Sequence, residues 1–309
     1  MHATTLKKVK TSRIIAAIAA GALGLAACTQ APLPSSTPTT SPAECPDFAT
    51  PGAAATMIGQ LLDKLGSRQT VMVEIRSREL AVTALVDGAP STWACRAGVV
   101  QQVTSDIAYV DQASFDVTGF DIGDVGSLFR AAAAIAGSSE NQMLQIVDYS
   151  GGRVMMAVTT NPESRTVFFN ADGSILEDLD FDTLGGIERG LQDVGENASL
   201  VLQVTIDSAK GAWADAPGVD AGTIVRRQRT PRIPVTTVTR TERAALQTFS
   251  PALIDPDAIW AVVAGSRTPN TPWSVSIDDR ERTGVPHLHF AFGQSTLVTD
   301  LLGHPVTTH

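Results

Sequence analysis

The residues best suited to chemistry stand near the C-terminus. His287 and His289 sit two apart, and Asp278 precedes them. Imidazole and carboxylate together are a common ligand set for zinc. Parity gives a second explanation. Leu288, Phe290 and Phe292 point one way along a strand, and His287, His289 and Ala291 point the other. The preceding stretch alternates too: Trp273, Val275 and Ile277 inward, Ser274, Ser276 and Asp278 outward. A hairpin through 280–285 would set Asp278 beside His287. A half-buried strand with its polar residues outside accounts for both patterns. The expectation is that this chain holds no metal and needs no cofactor.

The run Thr283-Gly284-Val285-Pro286-His287-Leu288-His289-Phe290 resembles the last motif of the LytM-type (M23) zinc endopeptidases, where a Ser/Thr-Gly run precedes His-Leu-His-Phe. The resemblance implies zinc on His289 and a polarising role for His287. That family also needs an upstream His and Asp, and here the only earlier histidine is His2. Ala291 replaces the acidic residue that usually follows. A catalytic zinc wants three protein ligands and one open position. No catalytic residue is therefore expected.

A second cluster is Arg226-Arg227-Gln228-Arg229-Thr230-Pro231-Arg232, with Arg240 and Arg243 nearby. Arg226, Arg227, Arg229 and Arg232 are candidates for contact with an anionic polymer, a lipid head group or an acidic partner. The same charges would also protect an edge strand from sheet-to-sheet aggregation. The acidic run 177–182 lacks the calcium-loop spacing. It reads as a strand exit followed by Asp182 or Thr183 as a helix N-cap. A P-loop, a Rossmann fingerprint and a serine-nucleophile motif are absent from the sequence.

The elements that must position these residues repeat one pattern, a helix and then short strands. Met57, Ile58, Leu61, Leu62 and Leu65 make one helical face, ended by Gly66. Strands are predicted at 71–76, 80–86, 91–96 and 99–103. Val125, Leu128, Phe129, Ala132 and Ile135 make the next helix, followed by strands at 143–149, 154–160, 165–170 and 174–179. Leu184, Ile187, Leu191 and Val194 give a third stripe. After a strand at 200–206, the Gly/Ala/Asp-rich stretch 207–222 reads as a loop. Strands are then expected at 223–229, 233–239, 259–263, 273–278, 287–292 and 296–301, with a short helix after Thr241. The fold class is α+β, in two or three repeated units of one helix packed on a small antiparallel sheet. The units span 45–120, 121–182 and a C-terminal α+β region, 183–309, that is a third unit with an insertion or a distinct domain. This helix-plus-sheet pattern is similar to PepSY-like envelope modules, which implies protein binding or inhibition more than catalysis.

The first 27 residues carry Lys7, Lys8, Lys10 and Arg13 and no acid, then an apolar stretch of 14 residues. That is too short to be a good membrane span and reads as an export signal. It ends in Leu25-Ala26-Ala27-Cys28, which resembles the lipobox of bacterial lipoproteins. The resemblance implies cleavage before Cys28 and a diacylglycerol on its thiol. Residues 28–44, with Pro32, Pro34, Pro38 and Pro42 among Ser and Thr, read as a stiff, solvated tether. Cys45 and Cys95 then form an even pair in an oxidising compartment, as a disulfide or as two buried thiols, with the disulfide preferred. Without residues 1–27, 19 basic side chains face 32 acidic ones. Such a net charge argues against nucleic-acid binding. The expected protein is lipid-anchored at the cell membrane on its extracytoplasmic side. It binds or regulates an envelope protein or polymer and is not an enzyme. An apolar-ligand carrier is the alternative, and a zinc peptidase a weaker one.

Overall fold

The computed structural model describes residues 45–104, 112–160, 165–242, 245–268 and 271–306. The leader, Cys28 and the tether 28–44 lie outside the described residues. Those residues form four α-helices and two seven-stranded sheets, so the chain is α+β and rich in sheet. Every strand pair is antiparallel. No described helix is long and apolar enough to cross a membrane.

The first lobe runs α1 (Ala53–Leu65), β1 (Thr70–Ile75), β2 (Leu80–Val86), β3 (Ala89–Arg96), β4 (Val99–Val103), α2 (Val125–Ala136), β5 (Met143–Ser150), β6 (Arg153–Thr159) and β7 (Val167–Phe169). The second runs α3 (Leu184–Gly195), β8 (Gln203–Asp207), β9 (Gly211–Pro217), β10 (Thr223–Arg229), β11 (Thr236–Thr241), α4 (Pro256–Ser266), β12 (Trp273–Asp278), β13 (His287–Phe292) and β14 (Ser295–Thr299). The sheet orders are β4-β3-β2-β1-β5-β6-β7 and β11-β10-β9-β8-β12-β13-β14. The two lobes thus share one order of elements and one strand order.

This differs from the expected units. Strands of 45–120 and 121–182 do not build separate sheets, because β1 pairs with β5, Val73 opposite Ile146. The reason is burial. Leu61, Val73 and Ile75 from one segment and Leu144, Ile146 and Phe129 from the other close a single apolar cluster under α1 and α2. One seven-stranded sheet under two helices buries a larger share of the apolar surface than two small sheets would. Likewise β8 pairs with β12, so the strands of 183–309 join in one sheet over Ile187, Val194, Ile259 and Val263.

Single elements differ too. The stretch 259–263 is helical, inside α4. Asp255 Oδ1 accepts from the Asp257 N–H, and Pro256 sits at the first helical turn. The stretch 207–222 contains β9, whose Ala212 and Ala214 are buried beneath α3. Only small residues fit there. A Cβ on Gly190 of α3 would stand 3.4 Å from the Ala212 Cβ and 2.4 Å from the Phe181 ring. The stretch 174–179 forms one isolated bridge, Ile175 with Phe169, and then crosses to the other lobe through Leu179 N–H to Pro231 O, 2.8 Å. The described residues between Thr241 and Ser250 form no helix, and Phe249 bridges Val201 instead.

A Cys45–Cys95 disulfide, Cα–Cα 5.7 Å, ties the segment before α1 to β3. Thr183 caps α3, accepting from the Gly186 N–H at 3.1 Å.

The polar face of the second sheet

Register turns Asp278 and His287 opposite each other, and Ser276 opposite His289, on the sheet face away from α3 and α4. Asp278 is buried. It accepts from Gln203 Nε2 (2.8 Å), Ser276 Oγ (2.9 Å) and Arg280 Nε and NH2 (both 2.7 Å). Burial pushes its carboxyl up, but these bonds outweigh it, and its pKa falls to about 2. Asp279, also buried, accepts from the Thr283 and Gly284 N–H groups at 2.8 and 2.9 Å. Gly284 has φ 83°, which a side chain would strain. The Thr-Gly pair of the peptidase-like run therefore closes this hairpin.

His287 Nδ1 lies 3.6 Å from Glu281 Oε2, and His289 Nε2 lies 3.8 Å from the same oxygen and 3.9 Å from Asp278 Oδ1. These are ion-pair distances, and neither nitrogen has a hydrogen-bond partner. Burial, then Arg280, lowers the His289 pKa. Among the described residues, no three His, Cys, Asp or Glu groups converge closely enough to hold a metal ion as they stand.

The arginine cluster divides by parity. On the polar face, Arg226 reaches Asp215 through Nε (2.8 Å) and NH2 (2.7 Å). Arg240 grips the same carboxylate from β11 at 3.1 and 2.9 Å. Burial raises the Asp215 carboxyl, but the two arginines outweigh it and its pKa falls. The Arg226 guanidinium also stands 5.7 Å from the centre of the Trp213 ring.

Arg227 and Arg229 point to the helix side. Arg229 is 1% exposed. It donates to Asp193 Oδ2 (3.0 Å) on α3 and to the carbonyls of Thr230, Ile233 and Glu177, each at 2.6 Å. Arg227 NH2 donates to Asp193 O and Glu196 Oε2 at 3.0 and 3.1 Å. Arg232 is exposed, 3.6 Å from Asp178. Of the four candidate contact arginines, Arg229 is therefore internal scaffolding, Arg227 lies at the end of α3, and Arg226 and Arg232 reach different surfaces. The alternation of Arg226 with Arg227 was readable in the strand. Asp215 and Asp193, the arginines' partners from a distant strand and a helix, and Gln203, the partner of Asp278, carry no local signal.

The chain matches no protein-family model and no curated protein.

Proposed function

We propose that this protein is an extracytoplasmic lipoprotein, anchored through an acylated Cys28, that binds or regulates an envelope partner and does not catalyse a reaction. The Cys45–Cys95 disulfide supports the location, since such bonds persist in oxidising compartments. The two lobes are read as copies of one ancestral helix-and-sheet unit, in the manner of envelope binding modules.

One observation carries the binding role: the array Trp213–Arg226–Asp215–Arg240 across β9, β10 and β11. Trp and Arg are over-represented among residues that dominate interface energies. Here both arginines are held in fixed poses by a shared carboxylate, so little conformational freedom is lost on docking. The acidic net charge argues against nucleic acid as that partner. Crosslinking in the native cells, followed by capture of this protein, tests the reading. Trp213→Ala is expected to keep the fold and lose most of the crosslinked partner. An unchanged partner yield would remove this face from consideration. Intact mass of the membrane-purified protein tests the anchor: an unmodified Cys28 with the leader attached would end that part.

A groove of about 430 Å³ between α3 and 251–256, lined by Leu191, Val194, Ile254 and Pro256, supports a carrier as the second reading. It is at the small end of ligand pockets. Lipid co-purifying in native mass spectrometry would favour it.

A further inference from the structure

The junction of the lobes forms an open polar cavity of about 350 Å³, lined by Ser150, Arg153, Glu196, Asn197, Arg227 and Thr237 among others. It lies on the helix side of β10, away from the Trp213 face, so a ligand bound here is independent of the partner proposed for that face. The lobes meet closely at this point. Thr237 N–H donates to Ser150 Oγ at 2.8 Å, and a Cβ on Gly151 would come within 2.9 Å of the Thr237 Cβ.

Two buried guanidinium nitrogens at this junction have no hydrogen-bond partner, Arg153 NH1 and Arg227 Nε. An unpaired buried donor on a charged group is costly, and native structures rarely leave one without a reason. Glu196 meets part of the need: its Oε2 is 3.1 Å from Arg227 NH2 and 3.6 Å from Arg153 NH1. It does not neutralise the site. Arg189 and Arg229 stand just behind, sharing Asp193, and burial first, then Arg153 and Arg189, push down the proton affinity of Arg229. Asp148, beyond the turn, is engaged by the Gly152 and Ala113 N–H groups. Four guanidinium groups thus face three carboxylates.

We propose that this cavity binds a phosphate-type oxyanion. A planar carboxylate is best met by the two parallel N–H groups of one guanidinium fork. Here the Arg227 fork is split, since NH2 is committed to Asp193 O and Glu196. Each of two strands brings one part-exposed guanidinium to the wall, Arg153 from β6 and Arg227 from β10, with Thr237 and Asn197 beside them. Guanidinium groups arriving from separate directions suit the oxygens of a tetrahedral anion.

The test is calorimetric titration of the full-length protein in detergent with inorganic phosphate, at constant ionic strength and neutral pH. Saturable one-to-one binding is expected. Arg153→Gln should weaken it at least about tenfold, as the loss of one charge-assisted hydrogen bond implies. Arg227→Gln also removes contacts to α3 and can loosen the fold, so Glu196→Gln is the second variant. With its competing carboxylate gone, phosphate should bind several-fold tighter. A merely structural arginine pair would show no such gain. Glycerol 1-phosphate is the second arm. Tighter binding than inorganic phosphate points to a phosphoester of a head group or wall polymer, and equal or weaker binding points to free phosphate. No saturable heat with either, acetate binding as tightly as phosphate, or an unchanged Glu196→Gln would each overturn the proposal.

Discussion

The third strands of the two lobes, β3 and β10, occupy the same place in their sheets and are fastened to the rest of the lobe in different ways. In β3 the helix-facing Cys95, opposite Leu80, is joined covalently to Cys45. In β10 the helix-facing Arg229, opposite Ala212, is held by Asp193 on α3 and three carbonyls. Two positions earlier stand Trp93 and Arg227. Trp93 packs on the apolar cluster with Lys64 5.3 Å from its ring, and Arg227 reaches the C-terminal end of α3. One topology therefore tolerates a disulfide with an apolar neighbour or an ion pair with a charged neighbour at one site. What it requires is a cross-link between that strand and the segment above it.

The comparison breaks most sharply at Arg229. Replacing it by Met leaves three part-buried carbonyls without their donor and Asp193 with Arg189 alone, and stability should fall by about 3–5 kcal/mol in denaturant unfolding. Arg232→Ala, in the same run but exposed, should change stability by less than about 0.5 kcal/mol. If both variants unfold alike, Arg229 is not the fastening of its lobe. The covalent counterpart should rank next. Cys45→Ala with Cys95→Ala opens a loop across a sequence separation of 50 and should cost about 2–4 kcal/mol. Because the link is confined to the first lobe, hydrogen exchange in β8–β14 should stay nearly unchanged.

That ranking also marks what sequence could and could not carry. Three apolar stripes located α1, α2 and α3, since burial on one helical face leaves a 3.6-residue period. The stripe in α4 is short, and Ile259 with Val263 fits a strand equally well without the Asp255-Pro256 cap. β9 is hidden because close packing under α3 selects alanine, which has no strand preference of its own. The two histidines and the arginine run stood out as chemistry-bearing residues. Their partners did not: Asp193 is 36 positions from Arg229, and Gln203 is 75 from Asp278. Local pattern fixes which face a side chain takes, while tertiary pairing decides whether that face is occupied from within.

The smallest expected effect separates the lobes by acid. Residues 45–182 contain no histidine, whereas the second lobe holds His287 and His289 facing Glu281, Asp278 and Arg280. His289 has its pKa lowered from 6.5 by burial and then by Arg280, so the unfolded chain takes up its proton first. The resulting stability is complete above pH 6.5 and is lost as pH falls towards the lowered value. Asp278 acts in a lower window. Its carboxyl is at about 2 in the folded chain against 3.8 otherwise, so it contributes stability above 3.8 that drains away as pH falls to about 2. At about 1.36 kcal/mol per unit, that contribution is at most about 2 kcal/mol. Three of the four tryptophans, Trp213, Trp260 and Trp273, belong to the second lobe, so fluorescence of Trp93→Phe reports it alone. Its unfolding midpoint should drop on going from about pH 7 to about pH 5, and His289→Gln should remove most of that drop. Persistence of the drop in His289→Gln would assign the sensitivity to other groups and dissolve this part of the contrast.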